Sequence, residues 1–127
     1  MGKVLVTGAT GFIGLHCIQQ LLAKGYQVNG SLRSLSRESE IRNGLSAAGT
    51  SHENLKLFPL DLNTDDGWDE AMSDCDYLLH VASPISLDDQ DEEYFVKPAV
   101  AGVKRALSYA KKHNVKKVVL TSSVAAI

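Results

Sequence analysis

Residues 3–14 read KVLVTGATGFIG, a short apolar run that leads into three glycines spaced three residues apart. Residues 3–6 predict a first β-strand. Residues 12–24 carry apolar side chains at helical spacing, and Gly25 after them is a typical helix stop. The sequence therefore predicts a tight glycine turn that joins a strand directly to a helix.

The same alternation of short β-rich runs and longer helical runs continues along the chain. Further strands are predicted at residues 27–32, 55–60, 77–81 and 116–121, and further helices at residues 36–48, 65–72 and 96–112. Ser36 is the expected N-cap of the first of these helices. Parallel strands need crossover connections of this kind, which are almost always right-handed. We therefore predict an α/β fold with a doubly wound parallel sheet of five strands, the Rossmann fold, in one domain of residues 1–127.

The composition limits the classes of function. A chain of 127 residues with 44% apolar and 22% charged residues is typical of one globular domain, and a net charge of −2 favours neither nucleic acid nor an anionic membrane as a partner. The apolar run before Gly8 is too short for a signal peptide or a membrane span. Cys17 and Cys75 are isolated and match no metal spacing, so we expect two small buried thiols, a cytoplasmic protein and no metal site.

The glycine turn is the strongest functional signal. Gly8 would allow the tight turn, Gly11 would let backbone approach a pyrophosphate, and Gly14 would let the helix pack closely. The helix start offers free N–H groups and a positive dipole end to phosphates. A Walker-type loop is disfavoured because no Gly-Lys-Ser/Thr ends the motif, and dinucleotide binding is favoured over a turn without a ligand. The predicted contacts are Thr7, Gly8, Thr10, Gly11, Phe12, Ile13 and Gly14.

The end of the second predicted strand bears on which dinucleotide is bound. NAD is usually selected by an acidic residue about twenty positions after the glycines. Here Arg33 stands at the strand end and no carboxylate is found there. A guanidinium can hold a 2′-phosphate, with Ser31, Ser34 and Arg37 as further donors, whereas the alternative is a solvated arginine at a loop start. We predict NADP as the cofactor.

The segment TGATGFIG resembles the TGxxGxxG turn of the short-chain dehydrogenase/reductase superfamily, in its extended branch, the NAD-dependent epimerase/dehydratase family. HVASP at residues 80–84 resembles a segment of the dihydroflavonol, cinnamoyl-CoA and aldehyde reductases of that branch. The resemblance implies an NADPH-dependent oxidoreductase that reduces an aldehyde, a ketone or a CoA thioester, with a homodimer as an option. An NAD-dependent nucleotide-sugar epimerase or dehydratase and a non-catalytic NADP-sensing module stay open as alternatives.

The resemblance also implies roles for residues that follow the third and fourth strands. Asp61 and Leu62 would contact the adenine, since Thr64 and Asp65 are better placed to cap the next helix. His80 is expected to be a core histidine rather than an acid or base. Small residues after the fourth strand would leave room for the nicotinamide and its ribose, namely Val81, Ala82 and Ser83.

The serines after the fifth strand match the family's catalytic serine motif. Ser123 corresponds to the serine that bonds the substrate oxygen, and Thr121 and Ser122 to its cofactor-lining neighbours, with Ser122 as the alternative catalytic serine. The family's Tyr-x-x-x-Lys pair, which supplies the proton, has no match because none of the four tyrosines is followed by lysine four positions later. The chain is therefore expected to be the N-terminal, cofactor-binding part of a longer enzyme and inactive by itself.

Overall fold

The structure, a computed structural model, describes residues 2–82 and 92–122, the latter with side chains from residue 100 onward. The strands are β1 (Lys3–Thr7), β2 (Gln27–Leu32), β3 (Leu55–Pro59), β4 (Tyr77–His80) and β5 (Lys117–Leu120). The helices are α1 (Phe12–Ala23), α2 (Glu38–Ala47), α3 (Trp68–Met72) and α4 (Glu92–Lys112), with a 3₁₀ turn over Leu35–Arg37.

The five strands form one parallel sheet in the order β3-β2-β1-β4-β5, which confirms the predicted doubly wound α/β fold. Strand β1 lies at the centre, between β2 and β4, so the strand order reverses beside it. Ligands of such sheets bind at this switch point, outside the carboxyl ends of the strands. The glycine turn follows β1 and therefore lies at that point.

The core has two layers, one on each face of the sheet. Val4 and Val6 of β1 point to the face covered by α1 and α2, whereas Leu5 points to the face covered by α3 and α4. Side chains alternate in this way because successive residues of a strand face opposite sides. On the α3 face the Trp68 ring is fully buried and stacks on Tyr109 at a centroid distance of 5.8 Å. The packing of helices on both faces of the sheet thus fixes the positions of the strand ends.

Two helices begin later than the sequence predicted. The Ser34 hydroxyl, rather than that of Ser36, caps the second helical segment by accepting the Ser36 N–H at 3.3 Å, so a 3₁₀ turn precedes α2. Helix α3 begins only after Gly67, which takes the left-handed φ of 85°. No side chain among the described residues caps α3, so the expectation that Thr64 or Asp65 does so was wrong. Glycine in this conformation interrupts helical hydrogen bonding, which explains the shorter helix.

Within the part of the chain that the structure describes, no helix combines the length and the apolar character needed to span a membrane.

Candidate functional site

A cleft of about 500 Å³ lies along the carboxyl edge of the sheet. It is bounded by the glycine turn after β1 and by the residues that end or follow β2, β3 and β4. The cleft therefore occupies the place where doubly wound sheets bind their ligands. The residues that line it are Gly8, Thr10, Gly11, Phe12, Ile13, Gly14, Ser31, Leu32, Arg33, Leu60, Leu62, Val81 and Ala82.

Most of the residues predicted from the sequence meet in this cleft, although they come from four separate parts of the chain. Thr7 is buried behind the lining, and Asp61, Thr121 and Ser122 are not part of it. Ser83 and Ser123 lie outside the described residues. Leu32 and Leu60 were missed as lining residues. Each is the last residue of a predicted strand, so counting the last strand residue as part of the site would have identified both.

The glycine turn is held by close backbone contacts. Gly8 has a φ of +76°, which side-chain-bearing residues rarely adopt. A Cβ on Gly14 would overlap the carbonyl oxygen of Gly8, whereas a Cβ on Gly11 would come no closer than 3.4 Å to that oxygen. Gly14 therefore serves close packing within the turn itself. Gly11 is exposed and leaves its side of the cleft open to a ligand.

Helix α1 presents its amino end to the cleft. Gly11 is its N-cap residue and makes no side-chain cap bond, and the first hydrogen bond of the helix runs from the Leu15 N–H to the Gly11 carbonyl at 2.9 Å. The N–H groups of the preceding helical residues belong to the four that a helix leaves without an internal partner. Phe12 and Ile13 are 80% and 54% exposed beside them. The helix end thus offers backbone donors and a positive dipole to an anion.

Residues at the end of β2 form the second wall of the cleft. The Ser31 hydroxyl accepts the Gly8 N–H at 3.3 Å, and the Ser31 carbonyl accepts the Ala9 N–H at 2.8 Å, so β2 and the glycine turn are tied together. Arg33 is exposed and lines the cleft, and none of the described lining residues carries a carboxylate. The other two predicted donors are engaged elsewhere: Ser34 caps the 3₁₀ turn and Arg37 pairs with Glu40 at 2.6 Å.

The turn after β3 carries Asp61 between two lining residues, Leu60 and Leu62. The Asp61 carboxylate accepts the Asn63 N–H at 2.8 Å, an arrangement typical of an Asx turn. One carboxylate oxygen thus orders the turn, and the other retains capacity to accept a hydrogen bond. Asp61 is only partly buried and does not itself line the cleft.

Arg105 of α4 anchors this same turn and was not singled out in the sequence. Its guanidinium donates to the Leu62 carbonyl at 2.6 Å and to the Asp65 carboxylate at 2.7 Å. Gly102, one helical turn earlier, lies against Leu62, where an added Cβ would come within 3.4 Å of the Leu62 Cβ. The position of the turn after β3 therefore depends on α4. The spacing of Gly102 and Arg105 on one helical face was the available signal.

The end of β4 is joined to β1 through a buried polar group. The Thr7 Oγ1 lies 3.0 Å from each of three atoms: the Val81 N, the Ala82 N and the His80 Nδ1. His80 is 3% exposed, and burial lowers the pKa of its imidazole. This agrees with the prediction of a core histidine. The His80 carbonyl in turn accepts the Thr121 N–H at 3.1 Å, which links the ends of β4 and β5.

The parallel sheet, the glycine turn and the cleft at the carboxyl edge of the sheet together define a Rossmann-type α/β domain. Comparison with protein families agrees with this class: residues 4–127 match the model of the NAD dependent epimerase/dehydratase family, and the chain belongs to that family. The predicted resemblance is thereby confirmed.

Similar proteins include several reductases. Anthocyanidin reductase of Arabidopsis thaliana is 38% identical over 98% of this chain and 37% of its own length, and cinnamoyl-CoA reductase 1 of Petunia hybrida is 39% identical over 98% and 36%. Among solved structures, the yeast methylglyoxal/isovaleraldehyde reductase complexed with NADPH is 36% identical with a TM-score of 0.76, covering 98% of this chain and 38% of that one. Vestitone reductase from alfalfa is 35% identical with a TM-score of 0.80, covering 100% and 38%. The chain thus spans less than two fifths of these relatives.

Proposed function

We propose that residues 1–127 are the NADP(H)-binding domain of an oxidoreductase that reduces the carbonyl group of a small molecule. The observation that carries this proposal is Arg33, which lines the same cleft as the glycine turn and the amino end of α1. A guanidinium attracts a 2′-phosphate, whereas a carboxylate at this place would repel it, and none of the described lining residues has one. The similarity to a reductase complexed with NADPH supports the same cofactor.

The nicotinamide cofactor, when bound, supplies the hydride, and the residues of this chain bind and orient it. The N–H groups at the start of α1, with Gly8, Thr10, Gly11, Phe12, Ile13 and Gly14 around them, would hold the pyrophosphate. Arg33 and Ser31 would hold the 2′-phosphate, and Asp61 and Leu62 the adenine. The residues proposed for the nicotinamide half are Val81, Ala82, Ser83, Thr121 and Ser122, with Thr7 fixing the backbone behind them.

Ser123 is the proposed catalytic serine, which would orient the carbonyl by a hydrogen bond to its oxygen as charge develops there. Ser122 is the alternative in this role. In the whole protein the family's tyrosine and lysine pair would supply the proton to that oxygen. The substrate class proposed is an aldehyde, a ketone or a CoA thioester, because the similar proteins are reductases.

We also propose a cytoplasmic location and a homodimer for the whole protein. Both cysteines are free thiols, which fits a reducing compartment. Burial raises the pKa of Cys75 to about 11, so this side chain stays a thiol at neutral pH. Cys17 is only half-buried, against the expectation that both thiols would be buried.

The experiment that tests the cofactor proposal is Arg33→Ala in the intact protein, with dissociation constants for NADPH and NADH measured by titration calorimetry. Loss of a charge-assisted phosphate contact should weaken NADPH binding by about 10- to 100-fold. NADH binding should change less than about threefold, because NADH lacks the phosphate. Arg37→Ala is the matched control, since Arg37 already pairs with Glu40, and it should change neither constant appreciably. Equal losses for both nucleotides with Arg33→Ala would refute the assignment.

A further inference from the structure

The buried hydroxyl of Thr7 has three polar neighbours within hydrogen-bond distance. It lies 3.0 Å from two backbone nitrogens, those of Val81 and Ala82, and 3.0 Å from the Nδ1 of His80. Thr7 and His80 are 0% and 3% exposed, so water does not compete for these bonds. The arrangement brings together β1, β4 and the first residues after β4.

The donors and acceptors around the Thr7 oxygen determine which ring nitrogen of His80 carries a proton. A hydroxyl has one proton to donate and two lone pairs that accept. The N–H groups of Val81 and Ala82 occupy both lone pairs. In the third contact, between the Thr7 oxygen and His80 Nδ1, the Thr7 hydroxyl must therefore donate the hydrogen bond and His80 Nδ1 must accept it.

The opposite arrangement leaves a group without a partner. If His80 carried a proton on Nδ1, three donors would converge on an oxygen that accepts two, and one backbone N–H after β4 would lose its bond. A buried donor without a partner costs about 1–3 kcal/mol. Burial independently lowers the pKa of His80, which works in the same direction.

We infer that His80 is a positioning residue of the cleft: as a neutral imidazole with its proton on Nε2, it accepts a hydrogen bond from the Thr7 hydroxyl at Nδ1. Both lone pairs of the Thr7 oxygen then stay available to the N–H groups of Val81 and Ala82. This holds Val81 and Ala82, which line the cleft, against the glycine turn. The contact is close, because a Cβ on Gly8 would come within 3.1 Å of the Ala82 Cα and Cβ. The effect on cofactor binding rests on the proposed function, whereas the state of the imidazole does not.

The first test is nitrogen NMR of the His80 ring in the intact wild-type protein at neutral pH. We expect an unprotonated Nδ1 and a protonated Nε2. A protonated Nδ1 would overturn the inference and leave the proposed function standing. Because this measurement needs no substitution, a variant that fails to fold does not affect it.

The second test compares His80→Asn with His80→Leu in NADPH affinity. An asparagine side-chain oxygen can replace Nδ1 as the acceptor, so His80→Asn should bind NADPH within about threefold of wild type, whereas His80→Leu should bind about tenfold more weakly. Thr50→Val is the control, since it removes a hydroxyl bonded to Gln19 outside the cleft-lining residues and should leave NADPH affinity unchanged.

Equal affinity losses in the two His80 variants would overturn the positioning role, because a packing role alone would not distinguish them. If wild type bound no NADPH at all, the proposed function would fail together with the positioning role. The ring nitrogen signals would then still decide the state of the imidazole. The two failures are therefore distinguishable.

Discussion

Gly14 is the residue of the glycine turn where an added side chain would meet the hardest obstacle, the Gly8 backbone carbonyl. Gly14→Ala should destabilise the protein by about 1–3 kcal/mol, as overpacking does, and should weaken NADPH and NADH together because it displaces the turn. Urea unfolding and nucleotide titration measure the two effects.

Gly44→Ala is the matched control for this substitution. Its Cβ would meet only the Leu15 side chain at 3.0 Å, and alanine favours the helical state of α2. Stability and nucleotide affinity should stay close to wild type. If the Gly14→Ala protein were as stable as the Gly44→Ala protein, the turn could accommodate a Cβ at Gly14. That result would contradict the predicted overlap with the Gly8 carbonyl oxygen.

The buried His80 predicts a pH dependence of stability. Its pKa in the folded protein lies below the ordinary value of 6.5, so the unfolded chain binds more protons as the pH falls below 6.5. The free energy of unfolding should therefore decrease from about pH 7 toward the lowered pKa. Urea unfolding across this window, on wild type and His80→Asn, measures the contribution, and it should be smaller in the variant. Identical slopes would show that His80 does not contribute.

The sequence alone predicted the structural roles of some residues and not of others. The tight turn at Gly8 follows from local spacing, and its φ of +76° agrees with that prediction. The role of Gly11 toward a pyrophosphate stays a prediction. Thr7 and His80 are 73 positions apart, and their hydrogen bond depends on the register that pairs β1 with β4. Sequence periodicity does not fix such a register, so the bond was not predicted.

At the scale of elements, α4 is linked to the cleft through Arg105. Replacing Arg105 by methionine would keep much of its length and remove its bonds to the Leu62 carbonyl and the Asp65 carboxylate. We expect a loss of stability of about 1–3 kcal/mol and a higher Kd for NADPH, because the adenine contact proposed for Leu62 lies on this turn. Thermal unfolding and calorimetry are the measurements.

The control for this prediction is Lys111→Met on the same helix, where the side chain is exposed and a surface substitution should change stability by less than about 0.5 kcal/mol. If Arg105→Met and Lys111→Met behaved alike, the turn after β3 would not depend on α4.

Strands were easier to predict than helix starts. Short apolar runs such as residues 77–79 of β4 are typical of strands covered on both faces. The start of α3 depends instead on the left-handed conformation of Gly67, and the start of α2 on which of two neighbouring serines turns its hydroxyl toward the backbone. Both depend on the local backbone conformation and local hydrogen bonds, which composition and periodicity do not distinguish.

At the scale of the whole molecule, hydrogen bonds connect the carboxyl ends of four neighbouring strands. Ser31 joins β2 to the glycine turn, Thr7 joins β1 to the residues after β4, and the His80 carbonyl joins β4 to Thr121 after β5. The cleft is thus built on an edge of the sheet whose strand ends are joined by hydrogen bonds. The direction of the chain and the right-handed crossovers predict that the site lies at this edge of the sheet. The hydrogen bonds along the edge could be identified only from the structure.

The cleft is proposed to prefer a dinucleotide with a 2′-phosphate. The most direct measurement is calorimetric titration of the intact wild-type protein with NADPH and with NADH under identical buffer and salt. We predict that NADPH binds at least about tenfold more tightly, as one charge-assisted contact with phosphate would produce. NADH binding as tightly as NADPH, or no binding of either nucleotide, would contradict the account.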